Sequence, residues 1–143
     1  IRTVFMKHMS VSELMHKGVR TVPESMPLSD AAHLMKELGI SSLVVTREHH
    51  RDAFGIVTRK DIIEAFSGPT SCIGPMLVQD VMTKPAITVE PELSLAHCMQ
   101  LMRMAGIRRI PIVKNGELVG ILSNADIFEW LVEHNGGEAT AAE

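Results

Sequence analysis

Two segments of the sequence place a hydroxyl residue three positions before an aspartate, directly after an apolar run that begins with glycine. Thr58 and Asp61 form the first pair, and Ser123 and Asp126 form the second. A helix that starts at such a hydroxyl presents free N–H groups and a partial positive charge, which suit a phosphate. An ionised aspartate one turn later only accepts hydrogen bonds, so it can take both hydroxyls of a ribose. The spacing therefore indicates a nucleotide site.

The same spacing has a second, purely structural interpretation. A Ser or Thr at the N-cap and an acid three residues later form a variant of the capping box, in which each side chain accepts a hydrogen bond from a backbone N–H. On this alternative, Asp61 and Asp126 stabilise helices and bind no ligand. The motif alone leaves both interpretations open.

The two motifs belong to an internal duplication. Residues 11–46 align with residues 78–113 at an offset of 67, and ten of the thirty-six aligned positions are identical. The offset becomes 65 at the motifs because the first copy has a longer connection, residues 48–52. Chance identity is roughly one in fifteen, so the sequence contains two copies of one unit.

Each copy predicts the same order of elements, β-α-β-β-α. Apolar residues at helical spacing indicate an amphipathic helix after the first strand, and Gly39 and Gly106 follow its last turn, where a left-handed residue ends a helix. Asn115-Gly116 predicts a type I′ hairpin in the second copy. A second helix is expected at about residues 60–66 and 125–133. The predicted fold class is α/β.

The duplication also predicts the domain organisation. Each repeat of about 55 residues is near the lower limit for folding alone, so we expect the two repeats to have one core in common. The expected boundaries are an N-terminal segment 1–10, a first repeat 11–66, a linker 67–77, a second repeat 78–133 and a disordered tail 134–143. Because the sequence begins at Ile1 rather than Met, we expect it to be part of a longer chain or to lack its start.

Composition excludes several classes of function. Lys and Arg number 7 against 8 acids in residues 11–66 and 5 against 6 in residues 78–131, so nucleic acid is not an expected partner. No apolar stretch approaches about 20 residues and no signal peptide opens the chain, which predicts a cytoplasmic protein without membrane contact. Cys72 and Cys98 lack metal spacing, as do the seven histidines, so we expect free thiols and no metal.

The order of these motifs resembles that of the cystathionine β-synthase type (CBS) domain. Both copies have an opening segment that ends in Met, a strand with Thr-Val, a helix followed by Gly-Ile, and a strand that leads to the Thr58 or Ser123 motif; the second copy also has Ile110-Pro-Ile-Val113. The resemblance covers nearly all of residues 10–133. It implies a tandem pair that folds into one pseudo-twofold α/β module with ligand clefts between the repeats.

The resemblance also implies a ligand and its contacts in the second copy. The expected ligand contains adenosine: AMP, ADP, ATP, NAD or S-adenosylmethionine. Asp126 would accept from the ribose, Ser123 would contact ribose or phosphate, and Arg108 and Arg109 would face phosphate. The remaining expected contacts are the adenine edge, formed by backbone groups of Lys84, Ala86, Ile87 and Thr88, and the adjoining strand residues Ile110 and Pro111.

In the first copy, the resemblance implies an equivalent but weaker site. The expected residues are Val19, Arg20 and Thr21 near the base, followed by Thr58, Arg59 and Asp61. Ser41-Ser42 stands where the second copy has Arg108-Arg109, so the first copy lacks these two cations for binding phosphate. Because the sequence has few aromatic residues and no Tyr, we expect adenine to lie between aliphatic side chains, namely Val19, Ile87 and Ile110.

The function that the resemblance implies is regulatory. No arrangement of nucleophile and base is evident, so we expect no catalysis and no required cofactor. We expect a homodimer that senses an adenine nucleotide, and thereby cellular energy, and that passes a conformational change to an effector protein or fused domain. The alternative is an assembly module that binds no ligand and in which both Ser/Thr-x-x-Asp motifs are only helix caps.

Overall fold

The computed structural model describes residues 8–67 and 75–142. Residues 1–7 of the expected N-terminal segment and residues 68–74 of the expected linker, with Cys72, lie outside the described residues. The strands are β1 (Thr21–Val22), β2 (Ser42–Val45), β3 (Gly55–Thr58), β4 (Arg109–Lys114) and β5 (Glu117–Ser123). The helices are α1 (Leu28–Leu38), α2 (Arg59–Phe66), α3 (Leu95–Ala105) and α4 (Asn124–Ala142), with single 3-10 turns at Val11–Glu13 and Val78–Asp80.

The chain folds into two compact units that exchange their opening segments. The repeat-1 unit is Arg20–Ala86, and the repeat-2 unit is Ile1–Val19 together with Ile87–Glu143. Backbone pairing explains this division. His16 and Ile121 exchange N–H···O bonds of 2.9 and 3.0 Å, so the opening segment of the first repeat is part of the repeat-2 unit. Thr83 and Ile56 make the equivalent pair of bonds in the repeat-1 unit.

The repeat-1 unit contains a three-stranded sheet in the order β1-β2-β3. β1 runs parallel to β2, and β2 runs antiparallel to β3, with Ser42 opposite Thr58. Its buried apolar side chains come from the sheet, from one face of α1, from α2 and from the opening segment of the second repeat: Val22, Leu28, Ala31, Met35, Leu43, Val45, Val57, Ile62 and Val78.

The repeat-2 unit is built in the same way around the antiparallel pair β4–β5. Val89 extends this pair by a parallel bridge to Ile112. Asn115 and Gly116 both have positive φ, 51° and 79°, which confirms the predicted type I′ turn. The buried apolar side chains are Val11, Val89, Leu95, Cys98, Met102, Ile110, Ile112, Leu122 and Ile127.

The two amphipathic helices confirm the sequence prediction. α1 and α3 bury residues at helical spacing, and each ends at a left-handed glycine, Gly39 with φ 65° and Gly106 with φ 68°. Glycine has no Cβ, so this conformation carries no steric penalty there. The mixed α/β fold class is therefore as expected.

One expectation about the organisation is wrong. The buried side chains form two clusters, one in each unit, rather than one common core, because each unit completes its own interior with Val11 or Val78 from the exchanged segment. Helix α4 extends to Ala142, and the disorder expected from residue 134 stays a prediction.

Candidate functional site

Both Ser/Thr-x-x-Asp motifs form capping boxes at the start of a helix. The Thr58 amide donates to Asp61 Oδ2 at 2.8 Å, and the Asp61 amide donates to Thr58 Oγ1 at 3.2 Å. The Ser123 amide donates to Asp126 Oδ2 at 2.9 Å, and the Asp126 amide donates to Ser123 Oγ at 3.2 Å. Both motifs therefore act as helix caps. In each box, the cap bonds use only one carboxylate oxygen, Oδ2.

The second carboxylate oxygen distinguishes the repeat-2 unit. Asp126 Oδ1 lies 2.5 Å from His16 Nε2, and the Ser123 hydroxyl adds a 2.8 Å bond to Asp126 Oδ2. The Asp126 side chain is only 12% exposed, whereas that of His16 is 68% exposed. A nearly buried carboxylate thus meets an imidazole that water can reach freely.

The topology of the repeat-2 unit gathers six of the predicted residues at one sheet edge. In any sheet, two parallel strands begin at the same edge, and a strand that is antiparallel to them ends at that edge. Arg109 starts β4 opposite Ser123, the last residue of β5, and the Arg108 carbonyl accepts from the Asn124 amide at 2.8 Å. Val89 is parallel to β4, so the residues before it lead to this edge. The repeat-2 edge comprises Ile87, Thr88, Arg108, Arg109, Ser123 and Asp126.

Several of these side chains lie at the surface. Ile87 is 43% exposed, Thr88 and Arg108 are exposed, and Arg109 is partly buried. The edge therefore offers an apolar side chain, a hydroxyl and guanidinium groups beside the start of α4. Such groups can contact the apolar face and the anionic part of one small molecule.

The repeat-1 unit has an equivalent edge. Ser42 starts β2 opposite Thr58, the last residue of β3, and the Ser41 carbonyl accepts from the Arg59 amide at 2.9 Å. Parallel β1 begins at the same edge. The repeat-1 edge comprises Arg20, Thr21, Thr58, Arg59 and Asp61, of which Arg20 and Arg59 are exposed. Serines hold the two positions that arginines hold in the repeat-2 unit.

Lys84 and Ala86 belong to the repeat-1 unit. Thr83 pairs with Ile56 there, and the Ala86 amide donates to the Phe54 carbonyl at 2.8 Å. This segment therefore runs along β3 towards its start, away from Thr58. Ala86 directly precedes Ile87, where the second segment of the repeat-2 unit begins, and the adenine contacts expected of Lys84 and Ala86 stay predictions.

The ammonium of Lys84 is occupied by two carboxylates. It lies 2.7 Å from Asp52 and 2.6 Å from Glu24, and these hydrogen bonds, that of Asp52 first, raise the pKa of Lys84. The pKa of Asp52 is lowered to about 2 by the Glu48 amide, then by Lys84. This cluster fixes the connection between β2 and β3 rather than offering a free cation.

Ile110 differs from the prediction in its burial. It is fully buried in the core of the repeat-2 unit, because its inward position in β4 fills the interior, so its side chain offers no surface to adenine. Pro111 is buried, and its carbonyl accepts from the Val89 amide. Val19 is partly buried and directly precedes Arg20, at the end of the first segment of the repeat-2 unit. The contacts expected of Pro111 and Val19 stay predictions.

His16 is a residue that the sequence reasoning missed. At the offset of 67 it is equivalent to Thr83, and both residues make the same pair of backbone bonds to the adjacent strand. The sequence did contain a signal for it, because titratable His16 aligns with Thr83, which does not titrate, within the ungapped part of the duplication. Its contact with Asp126 could not be read from the sequence because 110 residues separate the two.

Metal-binding and nucleophilic groups give no additional site among the described residues. Across residues 8–67 and 75–142, no group of three or more His, Cys, Asp and Glu side chains could hold a metal ion. Cys98 is buried, and burial raises the pKa of its thiol to about 11, so it is a poor nucleophile. None of the helices in this part of the chain has the length and apolar character of a membrane span.

Comparison with known proteins agrees with the fold. The CBS domain family model matches residues 11–68 and again residues 78–133. An uncharacterized protein of Methanopyrus kandleri is 33% identical over 125 residues, which are 87% of this chain and 63% of that protein. The inosine-5′-monophosphate dehydrogenase of Korarchaeum cryptofilum is 37% identical over 113 residues, 78% of this chain and 22% of that enzyme. The chain thus spans less than two thirds of either relative.

Solved structures show the same architecture. A hexameric CBS-CP12 protein from bloom-forming cyanobacteria is 34% identical, with a TM-score of 0.80 over 87% of this chain and 73% of that chain. A CBS domain pair crystallised in complex with 5′-methylthioadenosine and S-adenosyl-L-methionine has a TM-score of 0.75 over 86% of this chain and 99% of that chain, but at 22% identity it shows only the fold. With two matches to the family model along most of its length, the chain belongs to the CBS-domain family.

Proposed function

We propose that the chain is a regulatory module that binds an adenosine-containing ligand: AMP, ADP, ATP, NAD or S-adenosylmethionine. The observation that carries the proposal is the repeat-2 edge, where Arg108, Ser123 and Asp126 lie beside the N-terminus of α4. Within one sheet edge, these residues provide a cation, a hydroxyl and a carboxylate.

Each part of the ligand has a chemical counterpart at this edge. The guanidinium groups and the positive end of α4 favour a phosphate or another anionic group. Asp126 Oδ1, which the cap does not use, accepts a ribose hydroxyl. Ile87, 43% exposed, offers an apolar surface to adenine. We propose that the repeat-1 edge binds the same class of ligand more weakly, because Ser41-Ser42 replaces the two arginines.

Known proteins of the same fold support the ligand class and the regulatory role. One CBS pair of this architecture has been crystallised with two adenosyl compounds. The matching region makes up only 22% of an inosine-5′-monophosphate dehydrogenase, so such a region can be a minor part of a longer enzyme. We propose that this chain regulates a fused domain or an effector protein in the cytoplasm and performs no catalysis itself.

Regulation requires that the ligand bind two conformations unequally, because a ligand with equal affinity for both shifts nothing. A tenfold difference in affinity biases the equilibrium tenfold, about 1.4 kcal/mol. In this proposal, the bound adenosyl ligand carries a signal about cellular energy or methyl-donor supply.

We propose a homodimer as the functional assembly. Helices α2 and α4 expose large apolar side chains at equivalent positions, Ile63 at 57% and Phe128 at 67%, with Phe66 and Val132 nearby on the same helices. Exposed apolar patches on a small protein often mark an interface. One related protein is hexameric. Light scattering should therefore give twice the monomer mass, and the pair of substitutions Ile63→Lys and Phe128→Lys should return it to the monomer mass.

The alternative function is an assembly module without a ligand. The completed capping boxes favour it, because Asp61 and Asp126 already have a structural role. On this alternative, replacing Asp126 by Ala would cost about 1 kcal/mol of stability through the lost cap and change no affinity.

Calorimetry separates the two functions. AMP, ADP, ATP, NAD and S-adenosylmethionine should be tested at concentrations up to millimolar, together with thermal unfolding, because a ligand that binds the folded state raises the unfolding temperature. The sensor proposal expects heat and a thermal shift with at least one of them, both reduced in the Asp126→Ala protein. If none of the five produces either signal, the assembly function stands.

A further inference from the structure

We propose that His16 competes with the ligand for Asp126 and thereby makes binding at the repeat-2 edge depend on pH. The inference rests on the proposed function and concerns the regulation of the same site. Its basis is the 2.5 Å contact between His16 Nε2 and Asp126 Oδ1. His16 thus contacts the carboxylate oxygen that accepts the ribose in the proposed function.

The carboxylate of Asp126 has too few free acceptor positions to bind His16 and both ribose hydroxyls at once. A carboxylate has about four acceptor positions, two on each oxygen. The Ser123 amide and hydroxyl occupy the two positions on Asp126 Oδ2, and His16 occupies one on Oδ1. One position remains, whereas the two hydroxyls of a ribose require two. A ribose that binds through both hydroxyls must therefore displace one of the existing partners.

His16 is the partner that can leave most easily. Its side chain is 68% exposed, so water replaces the lost hydrogen bond and no buried group is left unpaired. Ser123 is only partly exposed, and its amide is fixed by the end of β5. Displacing the serine would also break the cap of α4.

The direction of the pH effect follows from the charge of the imidazole. Histidine changes its charge between about pH 5 and pH 8. The imidazolium form holds an ionised carboxylate more strongly than the neutral form does, because the opposite charges add Coulomb attraction to the hydrogen bond. Ligand affinity at the repeat-2 edge should therefore fall as the pH is lowered through this range.

The charged groups around His16 do not alter this direction. α4 contributes Asp126 and, one turn later, Glu129. β5 pairs with residue 16 through the backbone of Ile121, and its acid Glu117 lies at the opposite end of the strand. β4 contributes Arg109 opposite Ser123. On the segment of His16 itself, Glu13 accepts from the Ser10 amide, and Lys17 is exposed.

The repeat-1 unit provides an internal control. Thr83 takes the place of His16 there, with the same backbone bonds to Ile56, and threonine does not titrate. His16→Thr thus gives the repeat-2 edge the residue that the chain itself uses at the equivalent position. Threonine suits extended backbone, so the variant should retain the pairing with Ile121. His16→Gln is the second control, because its amide donates a hydrogen bond but gains no charge.

The test is a titration with AMP of the full chain labelled with ¹⁵N, for the parent protein and both variants. The amides of Ser123 and Asp126 report the repeat-2 edge, and those of Thr58 and Asp61 report the repeat-1 edge. His16→Thr should bind AMP at the repeat-2 edge roughly 3- to 10-fold more tightly than the parent at about pH 5.5, and within about twofold at about pH 8. The phosphate of AMP titrates near pH 6, but it contributes equally to both proteins and cancels in this ratio.

Two further comparisons complete the test. His16→Gln should lack the extra loss of affinity at low pH that the parent shows. 2′-Deoxy-AMP offers one ribose hydroxyl fewer. The ratio of its affinities for His16→Thr and for the parent should therefore stay within about twofold at both about pH 5.5 and about pH 8. A ratio for AMP that does not change with pH would overturn the competition and leave the proposed function intact. If the Ser123 and Asp126 amides do not respond to AMP or to the other adenosyl ligands, the proposed function fails and the competition fails with it.

Discussion

The two sheet edges have the same backbone design but different side chains where a ligand would bind. Each edge joins the start of a strand, the end of its antiparallel neighbour and a capped helix. The repeat-2 edge adds Arg108 and Arg109 before β4 and His16 on the second oxygen of its aspartate, whereas the repeat-1 edge has Ser41, Ser42 and Thr83 at these positions. The capping box is therefore the structural part that both edges have in common. The side chains around the box differ in charge, and we expect them to determine how strongly each edge binds an anionic ligand.

The largest difference is expected in ligand affinity. Asp126→Asn should weaken AMP binding at the repeat-2 edge by on the order of 10- to 100-fold, because charge-assisted bonds to the ribose are lost. Asp61→Asn is the matched control and should leave affinity at the repeat-2 edge unchanged. Calorimetry and amide shifts of both proteins provide the measurement. Equal losses at that edge from the two substitutions would contradict the asymmetry.

A difference in stability is expected at two equivalent glycines. A Cβ added at Gly120 would lie 2.6 Å from Met15 Sδ and 2.9 Å from the His16 carbonyl oxygen, whereas at Gly55 the closest atoms would be Met82 Sδ at 3.1 Å and the Thr83 oxygen at 3.3 Å. Gly120→Ala should therefore cost about 1–3 kcal/mol of unfolding free energy through overpacking.

Gly55→Ala is the control for this prediction and should cost distinctly less, because its neighbours need to move by only a few tenths of an ångström. Urea unfolding measures both values. If Gly55→Ala were the more destabilising substitution, the closer packing of the exchanged segment in the repeat-2 unit would be refuted.

A smaller difference concerns stability in acid. The pKa of Asp52 is lowered from 3.8 to about 2 in the folded protein, so the stability contributed by Asp52 is present above about pH 4 and is lost as the pH falls towards 2. The Glu48 amide contributes most to this shift and Lys84 contributes next. Lys84→Met should therefore flatten, without abolishing, the loss of stability between these pH values. Lys17→Met, the equivalent change in the repeat-2 unit, should leave this loss of stability unaltered. If Lys17→Met also flattened it, the attribution of the loss to Asp52 and Lys84 would be refuted.

The smallest expected effect comes from moving the imidazole. Thr83→His gives the repeat-1 edge the residue that lies beside Asp126 in the repeat-2 unit. The ratio of AMP affinities at the repeat-1 edge between Thr83→His and the parent should change by about two- to threefold between about pH 5.5 and pH 8, because an exposed ion pair contributes little. Amide shifts of Thr58 and Asp61 measure it, and binding at Ser123 should not change. A ratio that does not change with pH would show that position 83 cannot reach Asp61.

The local parts of this fold could be predicted from the sequence. Helices α1 and α3, their terminal glycines and the Asn115-Gly116 turn depend on residues close in the chain, and their periodicity and turn chemistry are direct signals. The helix starts at Thr58 and Ser123 were predicted for the same reason. The first strand expected in the second copy, which contains Thr88-Val89, is reduced to one bridge at Val89, because a short parallel pair leaves little pattern.

The exchange of the opening segments could not be predicted. Val11 and Met15 of the first copy are identical to Val78 and Met82 of the second, so each segment fits the hydrophobic pattern of either unit. Pairing between distant segments then decides the outcome, and sequence periodicity does not report it. The same exchange brings His16 to Asp126, which explains the missed contact.

We propose that the repeat-2 edge binds AMP more tightly than the repeat-1 edge. The most direct test is a titration of the ¹⁵N-labelled full chain with AMP at neutral pH, in which the amides at the two helix starts are followed separately. We predict saturable shifts of the Ser123 and Asp126 amides at a lower AMP concentration than shifts of the Thr58 and Asp61 amides. Tighter binding at Thr58 and Asp61, or no response at either helix start with AMP, ADP, ATP, NAD or S-adenosylmethionine at millimolar concentration, would contradict it.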